Sequence, residues 1–148
     1  MMFEVKSDIL KKVLEHFADE QFLISESVNW TFSDFFEEAV LFSNSLNISP
    51  QKHIALCSAN LEFLLKAQLA LWLKGAVSVP LNPKFPQKQK KELLIKTGST
   101  LLEKLELNKI STDQLSSDSN LPSINPEAWA SIIFTSGSSG LLKAVVHS

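Results

Sequence analysis

Hydrophobic and polar positions divide this chain into alternating helical and extended stretches. In residues 7–20, Ile9, Leu10, Val13, Leu14 and Phe17 fall on one stripe, with Lys11, Lys12 and Glu15 opposite, and this predicts an amphipathic helix. Residues 21–24 and 28–31 flank Ser25-Glu26-Ser27 and predict two short strands about a tight turn. Ser33 or Asp34 is placed to cap the next helix, and Glu37 in its first turn favours the helix dipole. Phe35, Phe36, Ala39, Val40 and Leu46 supply that helix's apolar positions, and it ends near Asn47, before a turn at Pro50.

A regular alternation follows. His53 to Cys57 reads as a buried strand, and residues 61–74 as a helix with Gly75 where a C-terminal cap belongs. Residues 76–79 form a second strand. Strand, helix and strand make a βαβ unit, which requires a parallel pair and a right-handed crossover. The helix is apolar nearly all round, so it is expected to be covered on more than one side. Pro80-Leu81-Asn82-Pro83 breaks the chain, and Pro86 suits the first turn of a further helix through Lys96, closed near Gly98. Residues 97–126 are polar, with seven serines and threonines between Ser99 and Ser119, and predict a short strand or two and a loop. Residues 130–135 form a buried strand that runs into Ser136-Gly137-Ser138-Ser139-Gly140-Leu141-Leu142-Lys143, and residues 144–148 are again strand-like. The fold class expected is α/β, a mostly parallel sheet flanked by helices. Strands at 54–57, 77–79 and 131–134 should share that sheet, with helix 61–74 packed on it.

Composition narrows the reading. At 148 residues the chain suffices for one domain with a core, and 45% hydrophobic with 20% charged residues excludes wholesale disorder. The net charge is −2, whereas a chain that lives on phosphate backbones is usually visibly basic, so no nucleic-acid partner is expected. All 14 basic residues are lysines, so the forked bidentate grip of arginine is absent. The single cysteine, Cys57, reads as an inert core thiol. Without a disulfide framework or a leader-like start, the expected compartment is cytoplasmic. The most apolar stretch, residues 61–73, is interrupted by Glu62, Lys66 and Gln68 and falls short of the roughly 20 residues of a membrane span.

The chemistry-bearing segment is residues 135–143. Glycines let backbone N–H groups converge on an anion, the hydroxyls of Thr135, Ser136, Ser138 and Ser139 add donors, and Lys143 adds a mobile positive charge. This is a credible triphosphate loop, though not a Walker A loop, because two residues rather than four separate Gly137 from Gly140. The same composition also describes a flexible Ser/Gly turn between two strands. Lys84, Lys88, Lys90, Lys91 and Lys96 gather around one predicted helix and read first as a solvated face, second as a dock for an anion. His16, His53 and His147 lack metal-ligand spacing with Cys57, and no metal site is assigned. No Gly-x-Ser-x-Gly elbow is present, so serine-hydrolase chemistry has no support.

The loop resembles the phosphate-binding signature of the adenylate-forming superfamily, Thr/Ser-Ser-Gly-Thr/Ser-Thr/Ser-Gly-x-Pro-Lys. Three earlier segments are similar to family segments in the same order. They are Trp30-Thr31-Phe32-Ser33-Asp34-Phe35, then Asn60-Leu61-Glu62-Phe63, then Leu73-Lys74-Gly75-Ala76-Val77-Ser78-Val79-Pro80-Leu81-Asn82-Pro83. Leu142 stands where the family has proline and Ala144 where it commonly has glycine. The resemblance implies that residues 1–148 are a single partial domain, the start of the large N-terminal domain of an acyl-CoA synthetase-like enzyme. It implies ATP with Mg²⁺ and coenzyme A as co-substrates, and adenylation of a small-molecule carboxylate followed by thioester formation. It assigns Thr135, Ser136, Gly137, Ser138, Ser139, Gly140 and Lys143 to the nucleotide phosphates and no catalytic residue to this chain. The short connection between Pro83 and Ala130, with the run 141–147, looks most like o-succinylbenzoate–CoA ligases of menaquinone synthesis. Family members are several times longer, so the chain alone is expected to be inactive. A missing remainder of the enzyme is then a partner, and the alternatives are a non-catalytic remnant or a small interaction or nucleotide-binding module.

Overall fold

The computed structural model describes residues 12–104, 127–136 and 142–148. Two short strands, β1 (Gln21–Ile24) and β2 (Asn29–Thr31), pair antiparallel and lead into helix α1 (Phe32–Ser45). The main sheet then builds from β3 (His53–Leu56), α2 (Leu61–Leu73), β4 (Val77–Pro80), α3 (Gln87–Thr97), β5 (Thr100–Leu101), β6 (Ser131–Ser136) and β7 (Leu142–His147). Its order is β5-β3-β4-β6-β7. The first four strands are parallel and β7 is antiparallel to β6. The expected parallel relation of 54–57, 77–79 and 131–134 is thus borne out, and β7 is the one reversal.

The order explains where the helices sit. From β3 the chain steps across α2 to its neighbour β4, and from β4 it steps back across α3, past β3, to β5. Right-handed crossovers in opposite directions place α2 and α3 on opposite faces. The core agrees, because strand side chains alternate between faces. Ile54 and Leu56 pack with Ala67, Ala70 and Leu71 of α2, whereas Ala55, Val77, Val79 and Ile132 pack with Leu93 of α3. Helix α2 is covered on two sides, as its all-round apolarity requires, because Leu69 and Leu73 pack against Phe36 and Ala39 of α1. Burying such Leu and Ile side chains contributes ~1.5–3 kcal/mol each. The one ion pair between the two helices, Lys66 to Glu38 at 3.6 Å, is exposed enough to add little.

Several boundaries differ from the sequence reading. The cap of α1 is Thr31, not Ser33 or Asp34. Asp34 is instead the reciprocal member of a capping box, since Asp34 N–H donates to Thr31 Oγ1 at 3.1 Å and Thr31 N–H to Asp34 Oδ2 at 3.0 Å. Strand β3 ends at Leu56, leaving Cys57 half-buried beyond it rather than in the core. Pro86 is the N-cap of α3, one residue before its first turn, and Gly98 closes that helix in the left-handed conformation. Residues 12–17 are helical, but Phe17 of the predicted stripe is 43% exposed, its ring centroid 6.2 Å from that of Phe32. Ile9 and Leu10, and residues 105–126 of the polar stretch, lie outside the described residues.

Two features generate predictions. The turn between β1 and β2 is tied to the start of α2, where the Glu62 carboxylate accepts from Ser25 Oγ at 2.5 Å and from Ser27 Oγ at 2.8 Å. The Ser25 bond, then the Ser27 bond, hold its carboxyl below the usual carboxylate range. A lowered folded pKa contributes stability that is complete above the usual range and is lost as pH falls through the lowered value. Amide shifts of residues 25–28 should therefore move together on acid titration below that range. Glu62→Gln should abolish this shared titration, and its survival in that variant would contradict the link. The second feature is Gly75, which follows α2 at φ 67°, where a Cβ would meet only Pro50, its Cβ at 3.5 Å and its Cα at 3.9 Å. Gly75→Ala is therefore a backbone cost alone, expected at about 1–2 kcal/mol by denaturant titration. An unchanged midpoint would contradict the left-handed conformation.

Candidate functional site

Strand β6 runs parallel to β3 and β4, so its final residues lie at the carboxyl edge of the parallel strands. In open α/β sheets that edge is where ligands are received. Thr135 and Ser136 are its last two residues, and both are exposed. The chain returns through β7, where Lys143 lies opposite Thr135 and Leu142 opposite Ser136. Directly opposed residues of an antiparallel pair project from the same face, so Thr135 and Lys143 share one. Lys143 is exposed as well, and its charge is free of the core.

The structure thus places Thr135 and Lys143 side by side on one face at the end of the β6–β7 ribbon, with Ser136 beside Leu142 on the opposite, α3 face. Gly137, Ser138, Ser139 and Gly140, which complete the predicted loop, lie outside the described residues, as does Leu141. The donors in place suit an anion: two exposed hydroxyls and one ammonium, with no carboxylate on β6 or β7. Leu142 packs with the cluster of Val79, Leu81 and Phe134 on the α3 face, which anchors the start of β7.

Other sequence candidates fall elsewhere. His53 is half-buried, its Nδ1 2.6 Å from Thr97 O and its ring stacked on Trp129 at 5.9 Å, so it serves the amino edge of the sheet. Among the described residues no group of His, Cys, Asp or Glu could hold a metal ion. The lysines around α3 remain at or near the surface, with Lys90 Nζ donating to Pro83 O at 2.7 Å. Cys57 borders a hollow of about 290 Å³ with Ser58, Phe63, Leu102 and Glu103, at the carboxyl ends of β3 and β5. Among the described residues no helix is long and apolar enough to cross a membrane.

One group of polar side chains is absent from the sequence reading. Gln68 Nε2 donates to Ser78 Oγ at 2.6 Å, Ser78 Oγ lies 2.7 Å from Ser131 Oγ, and Trp72 Nε1 donates to Ala130 O at 3.1 Å. The available signal is a polar residue inside an apolar run: Gln68 in α2, Ser78 between two valines, Ser131 before two isoleucines.

Comparison with known proteins identifies the family and the fold. Nonribosomal peptide synthetase 8 of Aspergillus fumigatus is 27% identical over 137 residues, which is 78% of this chain and 2% of that protein. The N-terminal subdomain of NpsA from Klebsiella oxytoca, in complex with 3-hydroxyanthranilyl-AMSN, superposes with a TM-score of 0.76 at 24% identity. That match covers 94% of this chain and 39% of the other. O-succinylbenzoate coenzyme A synthetase (MenE) from Bacillus subtilis, in complex with AMP, superposes at 0.73 with 20% identity, covering 92% of this chain and 40% of that one. The two superpositions establish the fold, and the chain spans only a small part of the curated relative's length. The AMP-binding enzyme family matches residues 10–148, from the first predicted helix through Thr135, Ser136 and Lys143. On that match, nearly the whole chain belongs to the AMP-binding enzyme family, whose fold its parallel sheet reproduces.

Proposed function

We propose that this chain supplies the nucleotide-phosphate site of an ATP-dependent, carboxylate-adenylating ligase. The observation that carries the reading is the placement of Thr135, Ser136 and Lys143 at one end of the β6–β7 ribbon, on the carboxyl edge of the sheet. In this reading the Thr135 hydroxyl and the Lys143 ammonium, on one face of the ribbon, meet the phosphate oxygens together, and Ser136, the last residue of β6, donates from the ribbon's end. Gly137, Ser138, Ser139 and Gly140 complete the cradle with backbone N–H groups. Bound ATP, with its Mg²⁺, would supply the adenylyl group, the carboxylate oxygen bonding to the α-phosphorus as the bond to pyrophosphate breaks. The residues of this chain orient the β- and γ-phosphates and offset their charge as pyrophosphate leaves. No residue here is assigned to the metal or to proton transfer.

The finer reading is an acid–CoA ligase, with coenzyme A as the thiol and the o-succinylbenzoate ligases of menaquinone synthesis as the specific comparison. A cytoplasmic setting fits those substrates. The thiol is the co-substrate's, so Cys57 needs no catalytic role.

Lys143→Ala tests the phosphate reading. A charge-assisted contact is worth ~1.5–3 kcal/mol, so ATP affinity measured by titration calorimetry should fall roughly 10- to 100-fold. Because Lys143 is exposed at the end of an edge strand, the melting temperature should stay within a few degrees. ATP binding unaffected by Lys143→Ala would return residues 136–140 to the status of an ordinary turn. For the finer reading, o-succinylbenzoate should support ATP–pyrophosphate exchange in the assembled enzyme, and exchange with amino acids alone would exclude it.

A further inference from the structure

We propose that Gln68, Trp72, Ser78 and Ser131 are positioning residues for the nucleotide site, forming a hydrogen-bonded joint that sets the direction in which the β6–β7 ribbon leaves the sheet. The proposal rests on the phosphate reading of Thr135, Ser136 and Lys143 above.

The backbone attachment of the ribbon is thin. Among the described residues β4 and β6 share one register pair, Ser78 with Ser131, and Ser78 N–H donates to Ala130 O at 2.9 Å. The next rung on that side would need an N–H at position 80, and Pro80 has none. The following N–H, from Leu81, turns the other way and donates to Leu56 O at 2.7 Å. By contrast β3 and β4 hold four register pairs, so the parallel core does not share this weakness.

Ile132, Phe134 and Leu142 pack against the α3 face of the sheet, and on the α2 face polar side chains reinforce the single register pair. Gln68 and Trp72 lie four residues apart on α2, which puts both over the same spot. Gln68 grips Ser78 Oγ and Trp72 grips Ala130 O, while the Ser78 and Ser131 hydroxyls bridge the two strands. Ser78 is 0% and Ser131 6% exposed. Apolar residues could fill this space, but hydrogen bonds hold a direction as well as a separation. Direction matters because the ribbon is a lever. Thr135 lies four positions beyond Ser131, about 13 Å at ~3.3 Å per residue. A tilt of ~5° at the joint would therefore move the phosphate donors by about 1 Å, which can cost roughly 100-fold in a reacting site.

The test uses Ser131→Ala, Ser131→Thr, Gln68→Met and Pro80→Ala in the whole chain, with residue-resolved hydrogen exchange in the absence of nucleotide and calorimetric ATP titration. Ser131→Ala and Gln68→Met should raise exchange at residues 132–136 and 142–146 by about tenfold, with less than twofold change at 54–56 and 77–79. They should weaken ATP binding by a similar factor, and Ser131→Thr, which keeps the hydroxyl, should restore both. Pro80→Ala restores an N–H and should slow exchange in the ribbon. Gln68→Met, altering a half-buried helix side chain, carries the test should Ser131→Ala fail to fold. A uniform rise in exchange over both sets of strands, or a ribbon-confined rise with unchanged ATP affinity, would overturn the proposal. A parent protein that binds no ATP would tell against the phosphate reading instead, and the exchange pattern would then decide the joint.

Discussion

Strand β4 is the constraint on which the rest of the structure depends. It is paired with β3 on one edge and β6 on the other, and Val77, Ser78 and Val79 are all fully buried. Parallel pairing with β3 forces the chain over one face through α2, and the return to β5 forces it over the other face through α3. Once both faces are covered, turns and exposed polar groups emerge at the strand ends, and the ends of β4 and β6 and the start of β7 lie at the carboxyl edge. The conjunction of a buried central strand and Pro80 at its end therefore decides both where the core closes and where a ligand can be met.

The candidate site draws on that arrangement without being part of the core. Thr135, Ser136 and Lys143 are exposed and owe their mutual placement to cross-strand pairing. Placed so, the ammonium keeps its hydration and its mobility, which suits a lysine contact to phosphate better than a rigid fork would. The polar contacts at Ser78 and Ser131 are the opposite case: buried, fully partnered, and few. Stability lies in the parallel pair β3–β4 and its two apolar coats, whereas the chemistry proposed here lies on a ribbon joined to them by one register pair, the polar contacts at Ser78 and Ser131, and the apolar contacts of Ile132, Phe134 and Leu142.

Much of this was legible in the sequence because the signals were local. The βαβ unit shows in apolar strands 53–56 and 77–79 about a helix ended by Gly75, and the family shows in four short ordered segments. The cap of α1 was local as well: Thr31 with Asp34 three residues on has the spacing of a capping box, which points to Thr31 rather than Ser33. What escaped depends on pairing. Cys57 looks like strand because the apolar run continues one residue past the last rung. The Gln68–Ser78–Ser131 contact joins residues up to 63 positions apart, from Gln68 to Ser131, beyond any local window of sequence. Of the residues proposed for the phosphates, the sheet positions Thr135, Ser136 and Lys143 at one end of the β6–β7 ribbon, and the pairing that does so is not written in the loop motif itself.

The central claim is that nucleotide phosphates are met at the free end of the β6–β7 ribbon. Paramagnetic broadening by Mn²⁺–ATP on the isotopically labelled protein tests it most directly, since the ion marks the phosphates by distance alone. The account predicts amide broadening centred on Thr135, Ser136 and Lys143, fading toward Ser131 and sparing β1 and β2. Broadening centred instead on Lys88, Lys91 and Lys96 of α3, with the ribbon end unaffected, would contradict it.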